Sequence, residues 1–195
     1  SVPIDTVLED APYSYTLSAS DEDVGDELEY GAPVLPVWLE FNSETSTLSG
    51  TPENDDVGDD GNEVTVTITD GDVAVEQSFV ITVINTNDAP VFTSVSIDTV
   101  LEDLLYSYTM TAIDIDEGDV LIFNFISGPD WISFDNDSTI SGTPENGDVG
   151  SHLVDVSVTD DEMTVEQSFI ITVINTNDAP IIEAISDTSM AEDTQ

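Results

Sequence analysis

An all-β fold, two tandem β-sandwiches of about seven strands each, follows from two features of the sequence. The first is duplication. Val75 to Pro90 returns as Val165 to Pro180 with one change, Val80 for Ile170, and a copy of that length marks repeated modules. The second is a period of two in the apolar residues, the signature of strands with one face buried. No window carries a helical period.

In chain order, Tyr13, Tyr15, Leu17 and Ala19 alternate with Ser14, Thr16 and Ser18, and the second copy repeats this with Tyr106, Tyr108, Met110 and Ala112. Each tryptophan, Trp38 and Trp131, sits in a strand-like stretch and is expected in the core. Val64, Val66 and Ile68 alternate with threonines, echoed by Val154, Val156 and Val158. These runs are expected to be half-buried antiparallel strands, separated by turns rich in Gly, Pro, Asn and Asp. The apolar run Phe79 to Ile84 ends in Asn85-Thr86-Asn87-Asp88-Ala89-Pro90, a polar, proline-closed link that recurs as Asn175 to Pro180. The copies slip at Asn42 to Ser46 and at Asp59 to Glu63, where turns absorb length changes. The implied domains are residues 1–90 and 91–180, with 181–195 the first strand of a third copy. A chain that starts and stops mid-pattern is expected to be a piece of a longer one, its targeting signals elsewhere.

Composition narrows the function. Among 195 residues there are 43 Asp plus Glu and no Lys or Arg, and the only histidine is His152. The formal charge of −43 works against compaction unless salt or bound metal offsets it. Nucleic acid and anionic membranes are poor partners, because binding them needs basic side chains. The 39% hydrophobic content, arranged in alternating runs, argues against disorder. Absent cysteine excludes disulfides and thiolate metal sites. No stretch reads as a membrane span.

The acidic residues recur at fixed places. Glu9 and Glu102 stand near the start of each copy. Asp21 with Asp23, and Asp114 with Asp116, follow the first long strand. Glu53 and Glu145 lie in a mid-domain loop, Asp70 and Asp160 end a strand, and Asn87 and Asp88 belong to the link. All are hard oxygen donors, with no His or Cys among them. That set suits Ca²⁺, which takes six to eight oxygens in irregular geometry; Mg²⁺ demands a tighter octahedron and Zn²⁺ prefers nitrogen and sulfur. An Asp-x-Asp pair converges only if the chain bends or a shared ion draws the carboxylates together.

Glu9 ahead of a strand, Ala19-x-Asp21-x-Asp23 after it, Asp70-Gly71 later and Asn87-Asp88-Ala89-Pro90 at the end follow the order of motifs in cadherin repeats. Leu35-Pro36-x-Trp38-Leu39-x-Phe41, followed by Thr47-Leu48-Ser49-Gly50-Thr51-Pro52, more closely resembles the dystroglycan-type cadherin-like modules of bacterial surface proteins. The resemblance implies Greek-key sandwiches, cadherin- or immunoglobulin-like, strung end to end with Ca²⁺ between successive modules. It would place Glu9, Glu53, Asn87, Asp88, Asp114, Asp116 and Asp160 at one complete site, with Asn85 and Asp119 as further candidates. The six carboxylates among the seven would balance about three Ca²⁺. Asp21, Asp23 and Asp70 would form a partial site at one end, and Glu102, Glu145, Asn177 and Asp178 another. Two departures stand out: Asn85 opens the linker where the family has Asp, and Glu53 sits in Pro-Glu-Asn-Asp rather than Asp-Arg-Glu.

The function implied is a calcium-stiffened extension or adhesion module of an extracellular, cell-surface or secreted bacterial protein. Its partners would be neighbouring repeats of the same chain, and a cell-surface protein or polysaccharide. The alternative is a carbohydrate-binding module, which would need exposed aromatics such as Tyr30 or Tyr13. Catalysis is not expected. Asp21 and Asp23 could be read as a glycosidase acid pair, but their recurrence in every copy favours scaffolding. His152 is expected at the surface, with Asp60 its nearest counterpart in the first copy.

Overall fold

A computed structural model describes residues 1–23, 25, 27–135, 137–182 and 192. Its strands are β1 (Thr6–Leu8), β2 (Tyr13–Thr16), β3 (Glu29–Val34), β4 (Leu39–Asn42), β5 (Thr47–Gly50), β6 (Glu63–Thr69), β7 (Ala74–Val80), β8 (Thr82–Ile84) and β9 (Val91–Phe92). They continue as β10 (Thr99–Leu101), β11 (Tyr106–Thr109), β12 (Ala112–Ile113), β13 (Ile122–Ser127), β14 (Ile132–Phe134), β15 (Thr139–Gly142), β16 (Gly150–Thr159) and β17 (Thr164–Ile174). The fold is nearly all β, with 3₁₀ turns at Asn54–Asp56 and Asn146–Asp148. The strand expected at the head of the third copy lies outside the described residues, Ile181, Ile182 and Glu192 apart.

Contacts divide the chain into two compact units. Unit 1 comprises Ser1–Thr93, Ala112–Ile122 and Val158–Val165; unit 2 comprises Ser94–Thr111, Phe123–Ser157 and Glu166–Gln195. In unit 1 the sheets run β2-β5-β4 and β3-β6-β7, and β9 pairs with β12. The alternation read from sequence is what packs them: Tyr13, Tyr15, Leu17, Leu39, Leu48, Val64, Val66 and Ile81 form one buried cluster, while Ser14 and Thr16 between them are exposed and Thr65 and Thr67 half-buried. At about 25 cal/mol per Å² of apolar surface, these side chains supply the main drive to fold. The β3–β6 register shifts between Gly31 and Val34, where Pro33 has no N–H to give to a ladder.

Parallel pairing was not legible in the alternation. β1 runs parallel to β8, Thr6 opposite Thr82 and Leu8 opposite Ile84, and unit 2 repeats it with Thr99 opposite Thr172 and Leu101 opposite Ile174. Unit 2 otherwise mirrors the first copy, with sheets β11-β15-β14 and β10-β17-β16-β13.

The tryptophans flank the core instead of lying inside it. Trp38 is half-buried, edge-on to Tyr13 at 5.8 Å, and its Nε1 donates to Asn62 Oδ1 at 2.7 Å. Asn62 also donates to Asp56 O at 2.7 Å. His152 takes the place of Asn62, not of Asp60: it is half-buried, its Nε2 bonds to Asp148 O, and its ring meets Trp131 edge-on at 6.1 Å. It offers no acceptor to the indole, and Trp131 Nε1 is buried without a partner. An unsatisfied buried donor costs about 1–3 kcal/mol. His152→Asn is therefore expected to stabilise the chain by about 1 kcal/mol in urea unfolding, and Asn62→Ala to destabilise it by more.

Burial raises the Tyr13 hydroxyl to about 12, with Tyr15 and Asp5 adding to the effect. Burial likewise pushes Tyr106 up. Both donate to backbone carbonyls, Tyr13 to Ile4 O at 2.8 Å and Tyr106 to Ile97 O at 2.9 Å, so each buried phenol is satisfied as the un-ionised form.

Candidate metal centre

The site lies wholly within unit 1. The parallel β1–β8 pairing carries Glu9 to it: Glu9 N–H donates to Ile84 O at 3.0 Å, and the chain then turns at Asp10, whose φ is 57°. Aspartate tolerates this left-handed turn better than most residues. Glu9 is only 2% exposed. Its Oε1 accepts the N–H of Thr86 at 2.8 Å and the Thr86 hydroxyl at 3.0 Å, while Oε2 is buried with no partner.

Asp114 and Asp116 follow β12. The Asp116 N–H donates to Asp114 Oδ1 at 3.1 Å, a local bend of the chain between the two carboxylates. Asp116 accepts from Asn54 Nδ2 at 3.1 Å and from the Asp88 N–H at 2.7 Å; Asp114 Oδ2 is buried and unpartnered. Asp160 directly follows β16, where its Oδ1 accepts the N–H groups of Glu162 and Met163 at 2.7 and 2.6 Å. The Met163 N–H holds its carboxyl below the usual range, burial opposing this and the Asn87 amide and Glu162 N–H assisting.

One oxygen from each of Glu9, Asp88 and Asp116 lies within 4.8 Å of the others, and a second group joins Asp114, Asp116 and Asp119 in the same way. Asp116 belongs to both. Burial pushes the Asp88 carboxyl up, and the charges of Asp116, Glu9, Asp10 and Asp114 add to it. Asp119 is raised for the same reasons, burial first, then Asp114, Asp116 and Asp160. The sequence supplies no lysine or arginine to offset this negative potential.

Of the seven residues expected at the complete site, Glu9, Asp88, Asp114 and Asp116 fall in these groups. Asn87 reaches Asp160 Oδ2 at 3.0 Å. Glu53 is exposed and outside both groups, its N–H donating to Asp56 Oδ2 at 2.9 Å. Asp119 enters one group, and Asn85 lines a cleft with Asn54, Asp116 and Asp119. Thr86 and Asn54 were not among the candidates, although both sit in stretches that recur as Thr176 and Asn146.

The partial sets keep the same local turns. Asp23 N–H donates to exposed Asp21 at 2.9 Å, and Asp70 accepts from Asp72 and Val73 at 2.8 and 2.7 Å. In unit 2, Glu102 is 1% exposed, its Oε1 accepting from Thr176 N–H at 2.6 Å and the Thr176 hydroxyl at 3.2 Å, with Oε2 again unpartnered. Asn146 donates to Asp178 at 3.0 Å and Asn177 to the Asp178 carbonyl at 3.1 Å; Glu145 is exposed, donating its N–H to Asp148 at 2.8 Å.

The residues fit a hard cation. Two buried carboxylate oxygens lack donors, and a divalent ion would satisfy both while lowering the repulsion that raises Asp88 and Asp119. By contrast, the aromatics suggested for a sugar site are not free platforms. Tyr13 is buried, and Tyr30 is half-buried with its hydroxyl accepting the Ala19 N–H at 3.2 Å.

Residues 1–84 and 89–174 each match the He_PIG family, "Putative Ig domain". Among solved structures, human protocadherin-24 EC1-2 (Form II) shares 15% identity over 84% of this chain and 88% of its own, at a TM-score of 0.55. Drosophila N-cadherin EC1-4 shares 13% over 85% of this chain and 45% of its own, at 0.53. These likenesses speak to fold. An endo-fucoidan hydrolase from glycoside hydrolase family 107 shares 28% over 88% of this chain at a TM-score of 0.41, and the chain spans only 28% of that enzyme's length. No curated protein matches. Among the described residues no helix is long and apolar enough to cross a membrane. The family match is coarser than the dystroglycan-type subdivision that the motifs resemble, but it covers both copies: the chain belongs to the He_PIG family of Ig-like domains and carries that domain twice, in a cadherin-like sandwich fold.

Proposed function

We propose that these tandem domains are a calcium-rigidified extension or adhesion module of a cell-surface or secreted protein, working by binding and not by catalysis. The observation that carries this reading is the pair of buried, donor-less oxygens, Glu9 Oε2 and Asp114 Oδ2, inside a carboxylate cluster. Glu9, Asp88, Asp114, Asp116 and Asp119 would hold the ions, with Asp160 and Asn87 closing the site. Bound Ca²⁺ supplies the positive charge that the chain does not encode, and its partners are the repeats it ties together.

Binding to the folded chain alone stabilises it by about 2.7 kcal/mol per site at a hundredfold excess over Kd. For a chain of this size that raises Tm by roughly 5–10 °C. The check is thermal unfolding in millimolar CaCl₂, beside NaCl and MgCl₂ at equal ionic strength. A shift that NaCl reproduces in full is screening, and would refute the calcium reading. Small-angle scattering with and without chelator then reads the stiffening directly.

A further inference from the structure

We infer that Thr86 is the positioning residue of the metal centre, resting on the calcium reading above. It occupies one oxygen of Glu9 so that the other is held, bare and desolvated, for the cation.

Three consecutive linker residues each reach a different acidic side chain. Thr86 gives its N–H and hydroxyl to Glu9 Oε1, Asn87 gives its amide to Asp160 Oδ2, and Asp88 gives its N–H to Asp116 Oδ2. Neutral donors thus tie the linker to all three carboxylates. Thr86 differs from the other two in making a two-pronged contact to one atom, which fixes the rotation of the carboxylate. Glu9 at 2% exposure has no water-facing alternative, so Oε2 is directed by what Oε1 does.

The second copy repeats the contact. Thr176 grips Glu102 Oε1 by the same two groups, and Oε2 is again bare. No carboxylate group like the one around Glu9 forms about Glu102 among the described residues. The clamp therefore recurs in each repeat. A threonine in this place supplies a hydroxyl with a stiff χ1. Valine would keep the shape and the N–H but lose the second prong.

The test is calorimetric titration of the full chain with calcium, in wild type, Thr86→Val and Thr86→Ser. Partners that orient a metal ligand are worth about 10- to 100-fold in affinity. Thr86→Val is expected to weaken calcium binding about tenfold, and Thr86→Ser to stay within about threefold of wild type. The metal-free Thr86→Val chain is expected to unfold at a lower urea midpoint, having lost its second hydrogen bond to Glu9; a merely structural role would show that loss with calcium affinity unmoved. A Thr86→Val protein that binds as tightly as wild type overturns the clamp and leaves the calcium reading standing. So does a Thr86→Ser protein as weak as Thr86→Val. Failure of the wild type itself to take up calcium overturns both, and Thr86 amide exchange in metal-free Glu9→Ala, faster than wild type or not, then reports whether the contact exists at all.

Discussion

Asp116→Asn should weaken calcium binding by at least about 100-fold while making the metal-free chain no less stable, and calorimetry paired with urea unfolding in chelator would show both. The first effect follows from position: Asp116 is common to both carboxylate groups, so its charge serves either ion, and calcium affinity tracks the number of charged ligands. The second follows from repulsion. Burial and then the Asp116 charge are the leading causes of the raised Asp88 carboxyl. A carboxyl whose folded pKa lies above its unfolded value gives stability that is complete below the unfolded value and is lost as pH rises through the folded one. That stability is lost as pH rises through the raised Asp88 value, and removing the Asp116 charge lessens the raise. Asn at position 116 keeps an oxygen for the Asp88 N–H, turns its amide nitrogen to Asn54, whose flipped amide then accepts, and removes the charge. An Asp116→Asn chain that lost metal-free stability yet bound calcium normally would mean that Asp116 is a structural acceptor only.

Gly142→Ala should cost about 3 kcal/mol or more in urea unfolding, with Gly50→Ala close behind. A Cβ at residue 142 would lie 1.9 Å from the Trp131 carbonyl oxygen, and at residue 50, 2.0 Å from that of Trp38. These are backbone atoms, so no rotamer change relieves the clash; β15 would have to leave the chain segment before β14, and β5 the segment before β4. Gly147→Ala is the control. Its Cβ meets nothing within 4 Å, and the change should stay within about 1 kcal/mol of wild type. Equal losses at residues 142 and 147 would mean that general backbone freedom, not close approach, explains the glycine in the repeated Ser-Gly-Thr-Pro.

Much of this was legible in advance because it depends on side-chain type and spacing. Tyr13, Tyr15 and Leu17, or Val64 and Val66, announce their buried face by alternation alone. The candidate acids were legible for a different reason: duplication separates acidic positions that recur from the many that do not. Glu9, Asp114, Asp116 and Asp160 recur in register, and the structure holds all four in unit 1. Thr86 and Asn54 escaped because a neutral residue in a polar loop looks like any other until its partner is known. Glu53 recurs too, but it is exposed, outside both carboxylate groups, and its N–H goes to the turn at Asp56. His152 aligns with Asn62 at the offset that matches Val64 to Val154, but that it lies edge-on to Trp131 without accepting from it became visible only in the structure.

The parallel pairing of β1 with β8 has a mechanical corollary. In each domain the strand that brings the chain in and the strand that takes it out lie side by side and point the same way. Tension along the polypeptide therefore drags the two past each other lengthwise. The rungs between Thr6–Leu8 and Thr82–Ile84 share the load at once and do not peel one by one. Glu9 and Thr86, just past the ends of these strands, add a further cross-link at the same seam. A tether under pull has its strongest fastening where the force enters.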